Sequence, residues 1–114
     1  MERSARVRSR LELSDIRVRY VTETAEAVGQ LANVSKAGLF VRTREIPSLG
    51  AVVAIQFKSP LGALVDARGD VRWTTRLSDS PEASQGFGVA LHEPGRAFRE
   101  FMSWLDEQAR AEES

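Results

Sequence analysis

The chain has 114 residues, acidic and basic side chains in equal number, no cysteine and a single histidine, His92. That length can bury one core and, without cysteine, must hold it by packing alone; disulfides, iron-sulfur clusters and thiol nucleophiles are excluded, and no set of histidines or thiolates exists to close a structural zinc site. The apolar runs fall far short of the roughly 20 residues that cross a bilayer, and the N-terminal arginines precede no apolar block, so a cytoplasmic protein without signal peptide or membrane insertion is expected.

The charges are unevenly distributed. Residues 1–20 carry six arginines against three acids, whereas Glu93 to Ser114 carries six acids against three arginines. A basic front end suits an anionic partner, while a neutral whole argues against a general nucleic-acid coat. Arginine outnumbers lysine fourteen to two. That bias suits planar, bidentate recognition of phosphates and guanine edges, and it follows equally from a GC-rich genome.

In chain order, residues 1–10 hold four arginines and no apolar period, so they are expected to form a mobile segment beside the folded body. Alternation with period two comes next. Ile16, Val18, Tyr20 and Thr22 share one strand face, with Arg17 and Arg19 on the other. Ala25 to Ala32 reads as a weaker strand in which Gly29 marks a bulge or a sharp bend. Leu39 to Arg42 is rich in strand formers, and "IPSLG" (46–50) supplies turn residues. Val53, Ile55 and Phe57 share a face, after which "SPLG" (59–62) places proline second and glycine last, as a type I turn requires.

The clearest alternation sets Val65, Ala67, Gly69, Val71 and Trp73 against Asp66, Arg68, Asp70 and Arg72. It predicts a strand with Trp73 on the core side and an exposed ladder of ion pairs outside. Residues 76–86 read as a polar loop, and Phe87, Val89 and Leu91 resume the alternation. From Pro94 the apolar residues Phe98, Phe101, Met102 and Leu105 fall at intervals of three and four, an amphipathic helix whose polar end, Asp106 to Ser114, is expected to fray. Five or six short antiparallel strands and one C-terminal helix predict an all-β fold, a small barrel or strongly bent sheet with the helix across an opening or an edge. No βαβ repeat suggests a doubly wound nucleotide fold, and neither internal repeats nor a second domain is visible.

Groups for catalysis are scarce. A serine-histidine site would have to use His92, and no G-x-S-x-G elbow accompanies it; a histidine at a strand end reads as a solvated or hydrogen-bonded surface residue. Asp66 and Asp70 are interleaved with arginines rather than set as an acid/base pair. No Walker loop or metal-ligand spacing occurs. The chain reads as a binding protein and not an enzyme, with no cofactor and no metal site.

One stretch interrupts the strand pattern: "LANVSKAGLFVRT" (31–43) contains Asn33-x-Ser35-x-x-Gly38. Asparagine and serine bond nearby backbone and glycine permits positive φ, so these residues either build a bend between two strands or present hydrogen-bonding groups to a ligand. Upstream, "RVRSR" contains Arg6-x-x-x-Arg10, 23 residues ahead of Asn33.

In order and spacing the two elements resemble the signature of the PilZ domain, a bacterial receptor module for cyclic dimeric GMP: R-x-x-x-R, then D/N-x-S-x-x-G some two strands later. The resemblance extends through "GLFVRT", "IPSLGAVVAIQF", "GDVRW", "GFGVAL" and the final helix. It implies a six-stranded antiparallel β-barrel with a C-terminal helix, divided as an arginine-rich segment (1–10), the barrel (11–92), and the helix with its tail (93–114). It also implies cyclic di-GMP as ligand, bound by Arg6, Arg10, Asn33, Ser35 and Gly38, with Arg8 and Ala37 as neighbouring candidates. Arginine forks match guanine O6/N7 and phosphate oxygens and can stack on a purine, which agrees with that assignment. The resemblance further implies signalling by ordering of the N-terminal segment toward an unidentified protein partner, in control of motility, exopolysaccharide or biofilm. Homodimerisation is left open, nucleic acid is not expected as a partner, and the alternative is an adaptor that docks a motility or secretion protein without nucleotide.

Overall fold

The computed structural model describes residues 16–35, 37–75 and 85–113. Six strands are present: β1 (Arg17–Val21), β2 (Glu26–Ser35), β3 (Gly38–Arg42), β4 (Val52–Lys58), β5 (Leu64–Thr75) and β6 (Gly86–Leu91). They close into an antiparallel barrel in the order β1-β2-β3-β6-β5-β4, followed by one helix, α1 (Arg96–Glu113). The fold is the all-β barrel with a C-terminal helix that the alternating pattern and the motif resemblance lead one to expect. No described helix is long and apolar enough to cross a membrane.

Alternate side chains of every strand meet inside. Val18, Tyr20, Leu31, Leu39, Val41, Val53, Ile55, Phe57, Val65, Val71, Phe87 and Val89 form one core, to which α1 contributes Phe98 and Phe101. The helix acts as a stopper. Phe101 meets Phe57 edge to face, centroids 5.3 Å apart, a favoured ring geometry. Because α1 follows β6 directly, it closes the end where β1 begins, where β2 turns into β3, and where Ser59 to Gly62 joins β4 to β5. In that last turn the Gly62 N–H donates to Ser59 O at 2.9 Å, as the Pro-x-Gly spacing predicts.

The opposite end is tied by Tyr20. Its ring is buried and packs on Phe87, with centroids 4.9 Å apart. Its hydroxyl donates to Glu45 O at 2.7 Å and lies 2.9 Å from Thr43 Oγ1, joining β1 to the loop after β3. Burial pushes the hydroxyl pKa above its ordinary value of 10.0, the Thr43 bond opposes this, and the Glu45 carboxylate adds to the rise.

Several details depart from the sequence reading. Gly29 is not a bulge, since its pairing with Val18 is in register; a Cβ there would come within 2.7 Å of Arg42 O, so glycine lets β3 pass close to β2. β2 runs on through Ser35, so Asn33 and Ser35 are strand residues and the break in pairing falls between Leu31 and Asn33. Thr22 leaves the strand, its Oγ1 accepting the N–H groups of Thr24 and Ala25 to shape the β1–β2 turn. Asp66, Arg68 and Arg72 are exposed but form no ladder: among the described residues no ion pair joins them, and Asp70 pairs with His92 instead. The polar end of α1 does not fray at Asp106, since Glu, Gln, Ala and Arg are good helix formers and carry the helix to Glu113. Most of the polar loop at 76–86 lies outside the described residues, and Gly86 already belongs to β6.

Tyr20→Phe keeps the ring and removes both hydroxyl bonds, leaving Glu45 O without its donor. The expected cost is about 1–3 kcal/mol, read from urea unfolding at neutral pH. Because the folded pKa is raised, the neutral phenol's contribution is complete below pH 10.0 and is lost as the pH rises through the folded value. The stability difference between parent and variant should therefore shrink only in strongly alkaline solution.

Candidate functional site

Two breaks in register create the outer surface of interest. In β2, Leu31 faces Val41 across the ladder and Asn33 faces Phe40, so Ala32 is the extra residue. In β5, Val71 faces Val89 and Trp73 faces Gly88, so Arg72 is the extra residue. A bulge reverses the inside-outside phase of the residues beyond it. Leu31 and Val71 are fully buried, whereas Asn33 and Trp73 lie outside, Trp73 with 49% of its surface exposed. Trp73 is therefore not a core residue, as strict alternation from Val65 would have it, and the bulge at Arg72 is the reason.

Both bulges lie at one level of the barrel. Asn33, Phe40, Gly88 and Trp73 consequently form a continuous row across β2, β3, β6 and β5. The next row is Ser35, Gly38, Ala90 and Asp70. At the centre, β6 presents only Gly86, Gly88 and Ala90 outward. The Trp73 indole lies over Gly88 and the Phe40 ring over Gly86, each where a Cβ would collide with it. The result is a shallow depression of about 190 Å³ between Trp73 and the β2–β3 turn, lined by Asn33, Ser35, Ala37, Gly38 and Phe40 among others.

Within the motif the duties differ. Asn33 Oδ1 accepts the Val34 N–H at 2.8 Å, which fixes the side chain and leaves its amide NH2 facing outward. Ser35 Oγ donates weakly to Gly38 O at 3.4 Å across the turn. Gly38 does not use positive φ, which among the described residues occurs only at Gly50 and Gly62. A Cβ at Gly38 would instead strike the Val89 carbonyl, so its absence lets β3 pair with β6. Arg6, Arg8 and Arg10 lie outside the described residues. The described chain starts at Ile16, whose carbonyl accepts the Leu31 N–H at 3.0 Å, one residue before the Ala32 bulge.

Among the described residues, those lining the depression are uncharged. Charge stands at its margins: Arg42, bonded to Gln30 at 3.2 Å, follows Phe40 on one side, and the His92–Asp70 pair, 3.0 Å apart, flanks Ala90 on the other. Among the described residues no cluster of three His, Asp or Glu side chains could hold a metal ion. A larger cleft of about 630 Å³, walled by Glu23, Glu45, Pro47 and Val52 with Tyr20 at its base, opens at the far end of the barrel. Asn33, Ser35 and Gly38 do not line it.

A closed six-stranded barrel, stoppered by a helix and carrying an aromatic platform beside an Asn-Ser-Gly turn, defines a small β-barrel domain. The PilZ domain family model matches residues 2–104. The chain belongs to the PilZ domain family. No curated protein matches it significantly.

Trp73 is the site residue that sequence reading missed. The available signal was the G-x-G of "GFGV": two glycines on one face of a strand leave a trough, and a neighbouring strand must supply the rings that cover it. Gly88→Ala should displace the indole and cost about 1–3 kcal/mol through overpacking. In a Trp104→Phe background, which leaves Trp73 as the sole indole, the emission maximum should move to longer wavelength and become more open to acrylamide quenching.

Proposed function

We propose that this protein is a receptor for cyclic di-GMP, binding it on the outer wall of the barrel between Trp73 and the β2–β3 turn. The observation that carries the reading is the paired bulging of β2 and β5, which sets Asn33, Ser35 and Trp73 on one face where the family's second motif lies. The exposed indole offers a stacking surface for a purine, and the free amide of Asn33 donates to a base edge or a phosphate oxygen. Arg6 and Arg10 supply what the described lining lacks, forked donors for the guanine O6/N7 edge and the phosphates. Arg8 stands between them as a further donor, and Ala37 adds van der Waals contact at the turn.

Ligand binding in this reading fixes residues 6–10 against the barrel beside the Ala32 bulge. Holding them costs about 1–2 kcal/mol per residue, so the charge-assisted bonds must exceed that sum and the net affinity is reversible. The surface that changes lies at the end closed by α1, and a protein partner reading that surface carries the signal onward.

Isothermal titration with cyclic di-GMP tests the proposal. Parent protein should bind, and binding should quench Trp73. Arg6→Ala and Arg10→Ala should each weaken binding at least tenfold, consistent with about 1–3 kcal/mol per base-reading arginine, with the melting temperature unchanged. Trp73→Ala should lose a similar amount, and Asn33→Ala less. A folded parent that takes no nucleotide would overturn the receptor reading in favour of a nucleotide-independent adaptor.

A further inference from the structure

Beyond the two motifs and the tryptophan, one polar pair stands on the same wall. His92 and Asp70 are joined Nε2 to Oδ1 at 3.0 Å, with side chains 48% and 35% exposed, and neither is needed to satisfy a buried group. Their place is fixed by the register: Asp70 faces Ala90, which faces Gly38, so the pair stands across one small side chain from the β2–β3 turn. The backbone pins His92 there. Leu91 N–H donates to Ala37 O at 2.8 Å and His92 N–H to Arg68 O at 2.9 Å, so β6 is clamped between the turn and β5 just where the imidazole emerges.

We infer that His92, oriented by Asp70, is a further ligand-binding residue of this site, donating through Nδ1–H to a phosphate oxygen of the dinucleotide. The inference rests on the receptor reading above. With Nε2–H directed at the carboxylate, Nδ1 is the nitrogen left for a ligand, and it can donate only in the imidazolium form. The Asp70 carboxylate holds the ring plane, while a phosphate diester supplies a charge opposite to the imidazolium. The other charged groups around the ring are Asp66 and Arg68 of β5 and Glu93, which line the adjoining cleft with His92. Neighbouring β3 presents no charge there, its nearest residues being Gly38 and Leu39, and Lys36 of the turn lies outside the described residues.

The chemistry makes binding proton-linked. A histidine changes charge between about pH 5 and 8, whereas phosphate diesters and guanine do not titrate in that window. Only the imidazolium donates through Nδ1, so affinity is highest where the ring is protonated and falls as the pH rises through that window.

Calorimetric titration of the full chain with cyclic di-GMP from pH 5.5 to 8.5, in pairs of buffers with different ionisation enthalpies, tests the inference. Affinity should rise about tenfold from pH 8.5 to 5.5, with uptake of a fraction of a proton near pH 7. His92→Gln should abolish both the slope and the uptake. Asp70→Asn, which keeps the ring but weakens its hold, should flatten the slope. Asn33→Ala should bind more weakly at every pH with the slope retained. Binding by the parent that is independent of pH, or a slope that survives His92→Gln, overturns this inference and leaves the receptor reading intact. No binding at any pH removes both.

Discussion

Alternation is a rigid rule in a closed barrel: once Leu31 and Val71 are committed to the core, every second residue after them must point inward too. Asn33 and Trp73 stand two places on, so regular strands would bury both. A buried asparagine amide without partners costs about 1–3 kcal/mol, and an indole added to a filled core costs a comparable amount through overpacking. One extra residue in each strand, Ala32 in β2 and Arg72 in β5, resolves both conflicts by turning the subsequent residues outward. The whole outer surface depends on those two insertions. They fall at the same level of the barrel, so the residues they release form one row rather than two unrelated exposures.

The strand between them completes the arrangement by what it lacks. β6 fills the core with Phe87 and Val89 but turns only Gly86, Gly88 and Ala90 outward. A large residue there would hold the neighbouring rings apart, whereas glycine allows Trp73 and Phe40 to lie down on the sheet and shield its backbone. Their upper faces remain available. An aromatic surface held by the sheet needs little reordering to receive a flat partner.

Most of the barrel was legible because period two and period 3.6 are statements about which side of an element meets water. Val53, Ile55 and Phe57 announced β4, and Phe98 and Phe101 announced the helical stopper. The order of two short motifs announced the family. The bulges were not legible. An inserted alanine or arginine has no composition of its own, and its effect appears only when two strands are laid side by side. This is why Trp73 was placed in the core and why Asn33 and Ser35 looked like a bend when they continue a strand. Gly29 misled for the reverse reason, since close approach of a neighbouring strand and a break in register call for the same residue.

The residues of the Asn-x-Ser-x-x-Gly motif therefore carry the scaffold and the candidate site in separable proportions. Gly38 is required by the approach of β3 to the Val89 carbonyl whether or not a ligand is present. Ser35 contributes to the turn through its bond to Gly38 O and has lone pairs to spare. Asn33 commits its carbonyl oxygen to the Val34 N–H and keeps two amide donors free, which orients them before any ligand arrives. A side chain that stabilised the strand alone would need only the first of these bonds, and a side chain that served a ligand alone would wander between rotamers. The backbone bond that looks purely structural is what turns an exposed amide into a directed donor, and it does so on the one row of the barrel where an indole faces the same way.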